Sequence, residues 1–397
     1  MTALSAPPPG PSPRLLAAHA TIRTARYPRV RVDDVSHGGR STSSTYPRPV
    51  HLPGSPGSDQ SPVAHSQVGG QTARPSSIRL GRSWHRFHLP PGQRVSRDGT
   101  AGYYIDFTSK ATDARWPPAF MTGSQRPLYV AIIQWGLGCY ERFLAEEDER
   151  WLAAALQVGE YLVDEQHRGG RLDGGWFHRA PFPHTFALRP PWLSGMAQGE
   201  GASLLIRLRS ASGRETFSEA ARRALGPLNV PTAAGGVRAL LDGRPFPEEY
   251  PTDPPSHVLN GGIFALWGLR DVGAALDDAP ASSGFDEGLD ALVASLPKWD
   301  LGGWSRYDLF PHPVTNIASS AYHELHINQL RAMATIAPRP QLEATAARFE
   351  GYAASRRRHL HAFARKALFR AFVPRHRGLS RRLPWTRFVG RRDPFGR

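Results

Sequence analysis

The stretch EEYPTDPPSHVLNGG, Glu248 to Gly262, sets an acid, Glu249, beside a phenol, Tyr250, ahead of three prolines and the start of a helix. Pro251, Pro254 and Pro255 restrict φ, and Ser256 is placed to cap a helix that carries Leu259, Ile263, Leu266 and Leu269 at helical spacing. Glu249 and Tyr250 are therefore expected beside a helix N-terminus, whose positive dipole end favours anions and ionised acids. Two more tyrosines stand in comparable places, Tyr307 in GGWSRYDL and Tyr322 in SSAYHELHINQL. A carboxyl group and several phenols suit either proton transfer or the stacking and hydrogen bonding that hold a sugar. A phenol's ordinary pKa near ~10 means that it moves protons only with help from its neighbours.

Other polar residues stand at helix starts. Asn260 lies on the helix that follows the Glu-Tyr turn, where it either lines a site or makes a structural hydrogen bond. Gln198 and Glu200, in MAQGEGAS, either bind an anion or sugar hydroxyls or cap the helix. His323 and His326 are three apart, a spacing that can hold a metal, but HELH is not HExxH and no third ligand is evident. Hydrogen bonding to a substrate or to neighbours is the expectation for both, with no metal.

These residues need elements to position them, and the sequence from Pro127 onward reads as helices in pairs. PLYVAIIQWGLGCYERFLAEED is followed by DERWLAAALQVGEYLVDEQ, with Trp151, Ala155, Val158 and Leu162 on one face. QGEGASLLIRLRSAS pairs with ETFSEAARRALGPL, and HVLNGGIFALWGLRDVGAAL with FDEGLDALVASLP. Each pair is followed by a diglycine, at Gly174, Gly235 and Gly302, spaced 61 and 67 residues apart. Such a repeat suggests a mainly α fold, an α/α barrel in which helical hairpins form a toroid and glycine connectors make short β hairpins. ALLDGRPF carries the Asp-Gly turn signal directly.

The flanks differ from this middle. Residues 1–75, with SAPPPGPSP and LPGSPGSDQSP, hold too few clustered apolar residues to offset ordering entropy and are expected to be disordered. Residues 76–125 read as a short β/loop segment packing on the barrel, residues 126–355 as the barrel, and residues 356–397 as a basic helix and tail. The charge follows these divisions: 13 basic against 4 acidic side chains in 1–100, 22 against 29 in 101–355, and 14 against 1 in 356–397, for a formal +15. The middle is thus mildly acidic, and with no zinc-finger or RRM signature, nucleic acid is not an expected partner. Cys139 is the only cysteine, which excludes an intramolecular disulfide, and its apolar helical setting reads as a buried small hydrophobe. No stretch reaches the ~18 apolar residues of a membrane span and the N-terminus has no apolar signal region, so a cytoplasmic protein is the default expectation.

Four motifs together carry a family resemblance. EYPTDPPSHVLNGG, WLSGMAQGEGASLLIRL, YDL and AYHELHINQL resemble EYPTTPSSFVLNG, WYSAMAQGQ, YDLRH and DYHTTHINQL of the D-glucuronyl C5-epimerases, over Tyr103 to Tyr352. Members of that family convert D-glucuronate to L-iduronate within heparan-type polysaccharides, and their C-terminal domain is an α/α barrel. The resemblance implies a glucuronate-containing glycan of heparosan or heparan type as partner, and catalytic positions at Glu249, Tyr250, Tyr307 and Tyr322. Inverting C5 requires removing a proton α to a carboxylate on one face and supplying one on the other, so two proton carriers must flank the ring. Glu249 and Tyr322 are expected to be that pair, with Tyr250 and Tyr307 polarising the carboxylate. No metal or redox cofactor is required where hydrogen-bond donors and cations stabilise the enediolate. The family's arginine after YDL is Phe310 here, and Arg306 is the candidate to reach the same space. The larger members also carry β domains ahead of the barrel, of which this chain has a remnant.

Two other functions compete with epimerisation: a uronate polysaccharide lyase, which shares the proton abstraction but then eliminates the C4 substituent, and a non-catalytic glycan-binding protein. The oligomeric state is open, a homodimer included. In the tail, Leu360, Phe363, Ala364, Ala367, Leu368 and Ala371 recur at helical spacing opposite arginines. This basic amphipathic helix suits an anionic membrane surface or an acidic glycan, or else its apolar stripe finishes the barrel. Under the surface reading, the chain binds anionic liposomes and polyanions at low salt and loses that binding when residues 356–397 are removed. Unchanged binding after the deletion would discard the recruiting role.

Overall fold

A computed structural model describes residues 102–122, 128–180 and 184–375. The segment 1–75, the beginning of the expected β/loop segment and the end of the tail from residue 376 lie outside the described residues.

The paired helices are present, and there are four pairs. Helix α1 (Tyr129–Glu146) packs on α2 (Glu149–Glu165), α3 (Gly195–Ser212) on α4 (Glu215–Ala224), α5 (Leu259–Leu276) on α6 (Ala279–Ser295), and α7 (Ser320–Ile336) on α8 (Pro340–Ala353). The first helix of each pair also packs against the first helix of the next, giving an inner row α1, α3, α5, α7. Local chemistry sets the boundaries: the side chains of Asp148, Ser194, Asp278 and Ser319 accept first-turn N–H groups, each such cap contributing about 1 kcal/mol. Inner helices are enclosed rather than striped. Residues Gly195 to Leu208 of α3 and Leu259 to Gly273 of α5 are all buried. These two helices approach closely because glycine meets glycine: a Cβ on Gly268 would lie 2.4 Å from the Gly199 Cα.

At all three connectors the leading glycine takes positive φ, 85° at Gly174, 88° at Gly235 and 73° at Gly302. Only the middle one yields a hairpin. Strands β1 (Arg238–Leu241) and β2 (Arg244–Pro247) pair antiparallel, with Arg238 opposite Pro247 and both turn residues, Asp242 and Gly243, at positive φ. The other two connectors form isolated bridges, His178 with Trp192, Asp300 with Ser305 and Arg306 with Ile317. Prolines in both segments remove the N–H groups that a longer ladder would need. The β-like alternation before α1 does not become strand either: the described part, 102–122, contains only 3-10 turns at Thr108–Lys110 and Ala119–Met121. Its apolar residues go into the core instead. Tyr104 stacks 4.5 Å from Trp267, and Tyr103 lies over Phe264 at 6.3 Å.

A last helix, α9 (Arg356–Phe372), packs on α7 and α8 and buries Ala362 and Phe369. Its expected apolar stripe points outward: Leu360, Phe363, Leu368 and Phe372 are 50–75% exposed. The stripe therefore does not finish the helical core. Among the described residues no helix is long and apolar enough to cross a membrane.

One buried ion pair joins the N-terminal segment to the inner row. Arg207 of α3 and Asp271 of α5 meet at 2.6 Å, both almost fully enclosed. Tyr104 donates its hydroxyl to the same carboxylate at 2.6 Å, while Arg207 also donates to the Gly102 carbonyl. Removing one partner strands the other charge, so Asp271→Asn or Arg207→Met alone should cost about 3–5 kcal/mol in a denaturant titration. The double variant Arg207→Met/Asp271→Leu should recover much of that loss, whereas simple additivity of the two costs would mean that the charges are not coupled.

Candidate active site

The Glu-Tyr turn is built around Glu248 rather than around a serine cap. Glu248 is fully buried, and its carboxylate accepts the N–H of Ser256 at 2.9 Å, the Ser256 hydroxyl at 2.6 Å and the N–H of His257 at 2.9 Å, with His257 Nδ1 2.6 Å away. The Ser256 hydroxyl is thus used inside the turn, and α5 begins at Leu259 with no side-chain cap. Main-chain bonds hold the turn at both ends: Glu248 N–H donates to Val237 O at 2.7 Å, and Gly195 N–H donates to Glu248 O at 3.1 Å. The YDL segment is bonded to the same place, through Leu259 N–H to Tyr307 O at 3.2 Å and Leu309 N–H to Ser256 O at 2.7 Å. Ser319 caps α7 and so fixes Tyr322 in its first turn.

These elements bring the four candidate residues together. The Tyr307 and Tyr322 rings meet edge to face at 4.8 Å. The Glu249 and Tyr250 side chains are electrostatically coupled, as are Tyr307 with Tyr250 and Tyr322, so the acid and the three phenols form one interacting cluster. Tyr250 and Tyr307 belong to an apolar cluster, separate from the main core, that includes Phe186, Trp192 and Trp304. Glu249, Tyr250 and Tyr307 are buried, whereas Tyr322 is 40% exposed and stands at the mouth. Beneath Glu249 the floor is backbone: a Cβ on Gly261 would lie 2.4 Å from both Cβ and Oε2 of Glu249.

Burial sets the proton affinities. It pushes the Glu249 carboxyl up to about 7, against the pull of the neighbouring Tyr250 hydroxyl and with the aid of Glu248 and Asp308. Burial raises Tyr250 and Tyr307 well above the ordinary phenol range, with the Glu249 charge adding to it. Tyr322 is raised for the same reasons, countered by the neighbouring Tyr307 hydroxyl and by the charges of Arg375 and Arg370. Near neutral pH the cluster therefore holds one acid close to half-ionised and three protonated phenols, a base accompanied by hydrogen-bond donors.

The remaining candidates divide. Asn260, in the first turn of α5, is buried with its side-chain oxygen unpartnered, and Glu200 on α3 is fully buried with one oxygen bonded to Gln134 at 2.8 Å and the other free. Burial raises the Glu200 carboxyl well above its ordinary value. Gln198 has no group to spare: its amide donates to Gly174 O and Ala224 O and accepts from Trp176 N–H. His323 bonds Ser305 Oγ at 2.7 Å and Phe349 O at 2.9 Å and stacks 3.8 Å from Trp304, while His326 shares Ser305 at 2.9 Å. Burial holds His323 down to about 4 and His326 well below its ordinary value, so both rings are neutral. Half-buried Arg306 donates to Phe310 O at 3.3 Å. Among the described residues no group of three His, Cys, Asp or Glu side chains is placed to hold a metal ion. The sequence reading passed over Glu248 and the buried Asp308, which accepts from Asn316 at 2.5 Å; their only signal was an acid next to Glu249 in one motif and next to Tyr307 in another.

The family described as D-glucuronyl C5-epimerase C-terminus matches residues 170–351, a span that contains the whole tyrosine cluster. This segment belongs to that family. The chain is 31% identical over 232 residues to the D-glucuronyl C5-epimerase of Caenorhabditis elegans, an overlap of 54% of this chain and 37% of the nematode enzyme. It is 28% identical over 197 residues to an uncharacterised protein of Methanocaldococcus jannaschii, covering 47% of this chain and 62% of the archaeal one. The chain thus spans only part of the length of each of these relatives.

The raised Glu249 carboxyl has a measurable consequence without substrate. Its proton is held more tightly folded than unfolded, so its contribution to stability is full below about 4.5 and is lost as pH rises through about 7. Glu249→Gln cannot ionise and escapes that loss. Its stability relative to the parent should climb by up to about 3 kcal/mol between pH 4 and 8 in denaturant titrations. A difference that stays constant with pH would mean an ordinary carboxyl.

Proposed function

We propose that the chain is a uronyl C5-epimerase acting on D-glucuronate units of a heparosan- or heparan-type glycan. The observation that carries this reading is the gathering of Glu249, Tyr250, Tyr307 and Tyr322 into one coupled cluster within the segment that matches the epimerase family. The inner row of helices, with outer partners on one side and the connector motifs gathered at one cluster, supports an α/α barrel whose loop end carries the site.

In this mechanism Glu249, ionised as pH passes through about 7, takes the C5 proton. The C5–H electron pair moves into a C5–C6 enediolate, whose oxygens accept hydrogen bonds from the Tyr250 and Tyr307 hydroxyls. Tyr322 then delivers its hydroxyl proton to the opposite face of C5, forming the new C–H bond and leaving a phenolate. The phenol chain offers the route by which the proton on Glu249 returns to Tyr322 and the site is reset. Protonated phenols, kept so by burial, are what donation requires.

The test is exchange in deuterated water with an N-acetylheparosan oligosaccharide. Deuterium should enter C5 without chain cleavage, and Tyr322→Phe and Glu249→Gln should each lower the rate by ~10²–10⁴-fold while keeping most of the binding. Near-normal exchange in both variants would remove these residues as the proton carriers, and release of an unsaturated uronate would favour a lyase.

A further inference from the structure

Developing negative charge on a uronate carboxylate calls for a cation, and Arg306 is bonded to the Phe310 carbonyl. Helix α9 brings others. Within ARKALFR, Lys366 and Arg370 are four apart on the face turned toward the body of the protein, beside the buried anchors Ala362 and Phe369. Lys366 Nζ donates to Asn316 Oδ1 and to Ile317 O, both at 2.7 Å, and lies 5.4 Å from the centre of the Tyr307 ring. Asn316 in turn donates to Asp308, the residue after Tyr307, at 2.5 Å. Arg370 donates to Thr185 Oγ1 at 2.7 Å, and its charge reaches both Tyr307 and Tyr322. An ammonium has three donors, and two of those on Lys366 are taken.

We infer that α9 completes the site, with Lys366 binding the carboxylate of the substrate uronate beside Tyr307 and Arg370 supporting it. The family match ends at residue 351, so these cations come from outside the matched segment. Burial, with Arg370 nearby, brings the Lys366 amine down to about 8, so it remains largely cationic at neutral pH. A bound carboxylate would relieve the concentration of positive charge at Lys366, Arg370 and Arg375, in which Asp308 is the nearby acid. The ligand class rests on the epimerase reading; the preference for an anion does not.

The experiment compares binding of two probes by calorimetry: a glucuronate-containing heparosan oligosaccharide and its carboxyl-reduced, glucose-containing counterpart. The parent should prefer the carboxylate form by about 10- to 100-fold, the range of a charge-assisted hydrogen bond. Lys366→Gln should abolish most of that preference, and Lys366→Arg should retain it. Gln can still donate to Ile317 O, so an unchanged melting temperature and circular dichroism spectrum would show that α9 remains docked. A parent without preference, or a folded Lys366→Gln variant with the parent's preference, overturns the inference. C5 exchange by a parent whose preference survives Lys366→Gln would sink it while leaving the epimerase reading intact. Carboxylate preference without exchange would do the reverse.

Discussion

The site hangs on the buried carboxylate of Glu248. It gathers the Ser256 N–H and hydroxyl and the His257 N–H into one place, closing the proline-rich turn back on the residue where it starts. Hydrogen bonds to a charged partner contribute about 1.5–3 kcal/mol each, and a buried acceptor left without them costs a similar amount. The closure holds Glu249 and Tyr250 against the first turn of α5 and offers the Ser256 carbonyl to the YDL segment that carries Tyr307. Glu249 is exchangeable in principle for other bases, but nothing else in the turn could replace its neighbour.

With the backbone fixed this way, the electrostatics follow from what covers the side chains. An aromatic shell excludes water from Glu249 and from the two inner phenols, and the low local dielectric disfavours their charged forms. One environment therefore yields a carboxyl that can act as a base near neutrality and phenols that stay donors. Tyr322, 40% exposed and with two arginine charges opposing the rise, is raised by the same burial and also stays a donor. A gradient from enclosed acid to open phenol is built by depth alone.

The parts of this arrangement that depend on near neighbours in sequence were legible. Helix pairs follow from 3.6-residue periodicity and good caps, the hairpin from Asp242-Gly243, and the gathering of Glu249, Tyr250, Tyr307 and Tyr322 from their shared place at connectors and helix starts. What escaped depends on partners far along the chain. Ser256 has the look of a cap until Glu248 claims it, and Gln198 looks like a ligand until Gly174, Trp176 and Ala224 take its amide. The alternation before α1 predicts strands, yet its aromatics pack against α5 instead. In α9 the apolar and basic residues were both seen, but periodicity cannot say which face meets the protein. Lys366, which the sequence did not single out, lies against Tyr307.

Helix α5 has four glycines in eighteen residues, all pressed against neighbours: Gly261 under Glu249, Gly262 against Phe246, Gly268 against Gly199 and Gly273 against Ser282. Each glycine costs about 1 kcal/mol of helix propensity relative to alanine. This helix is thus too weak to form by itself. Packing against α3, β2 and the turn supplies the stability that its own sequence lacks, so the floor of the site keeps its shape only while those elements surround it.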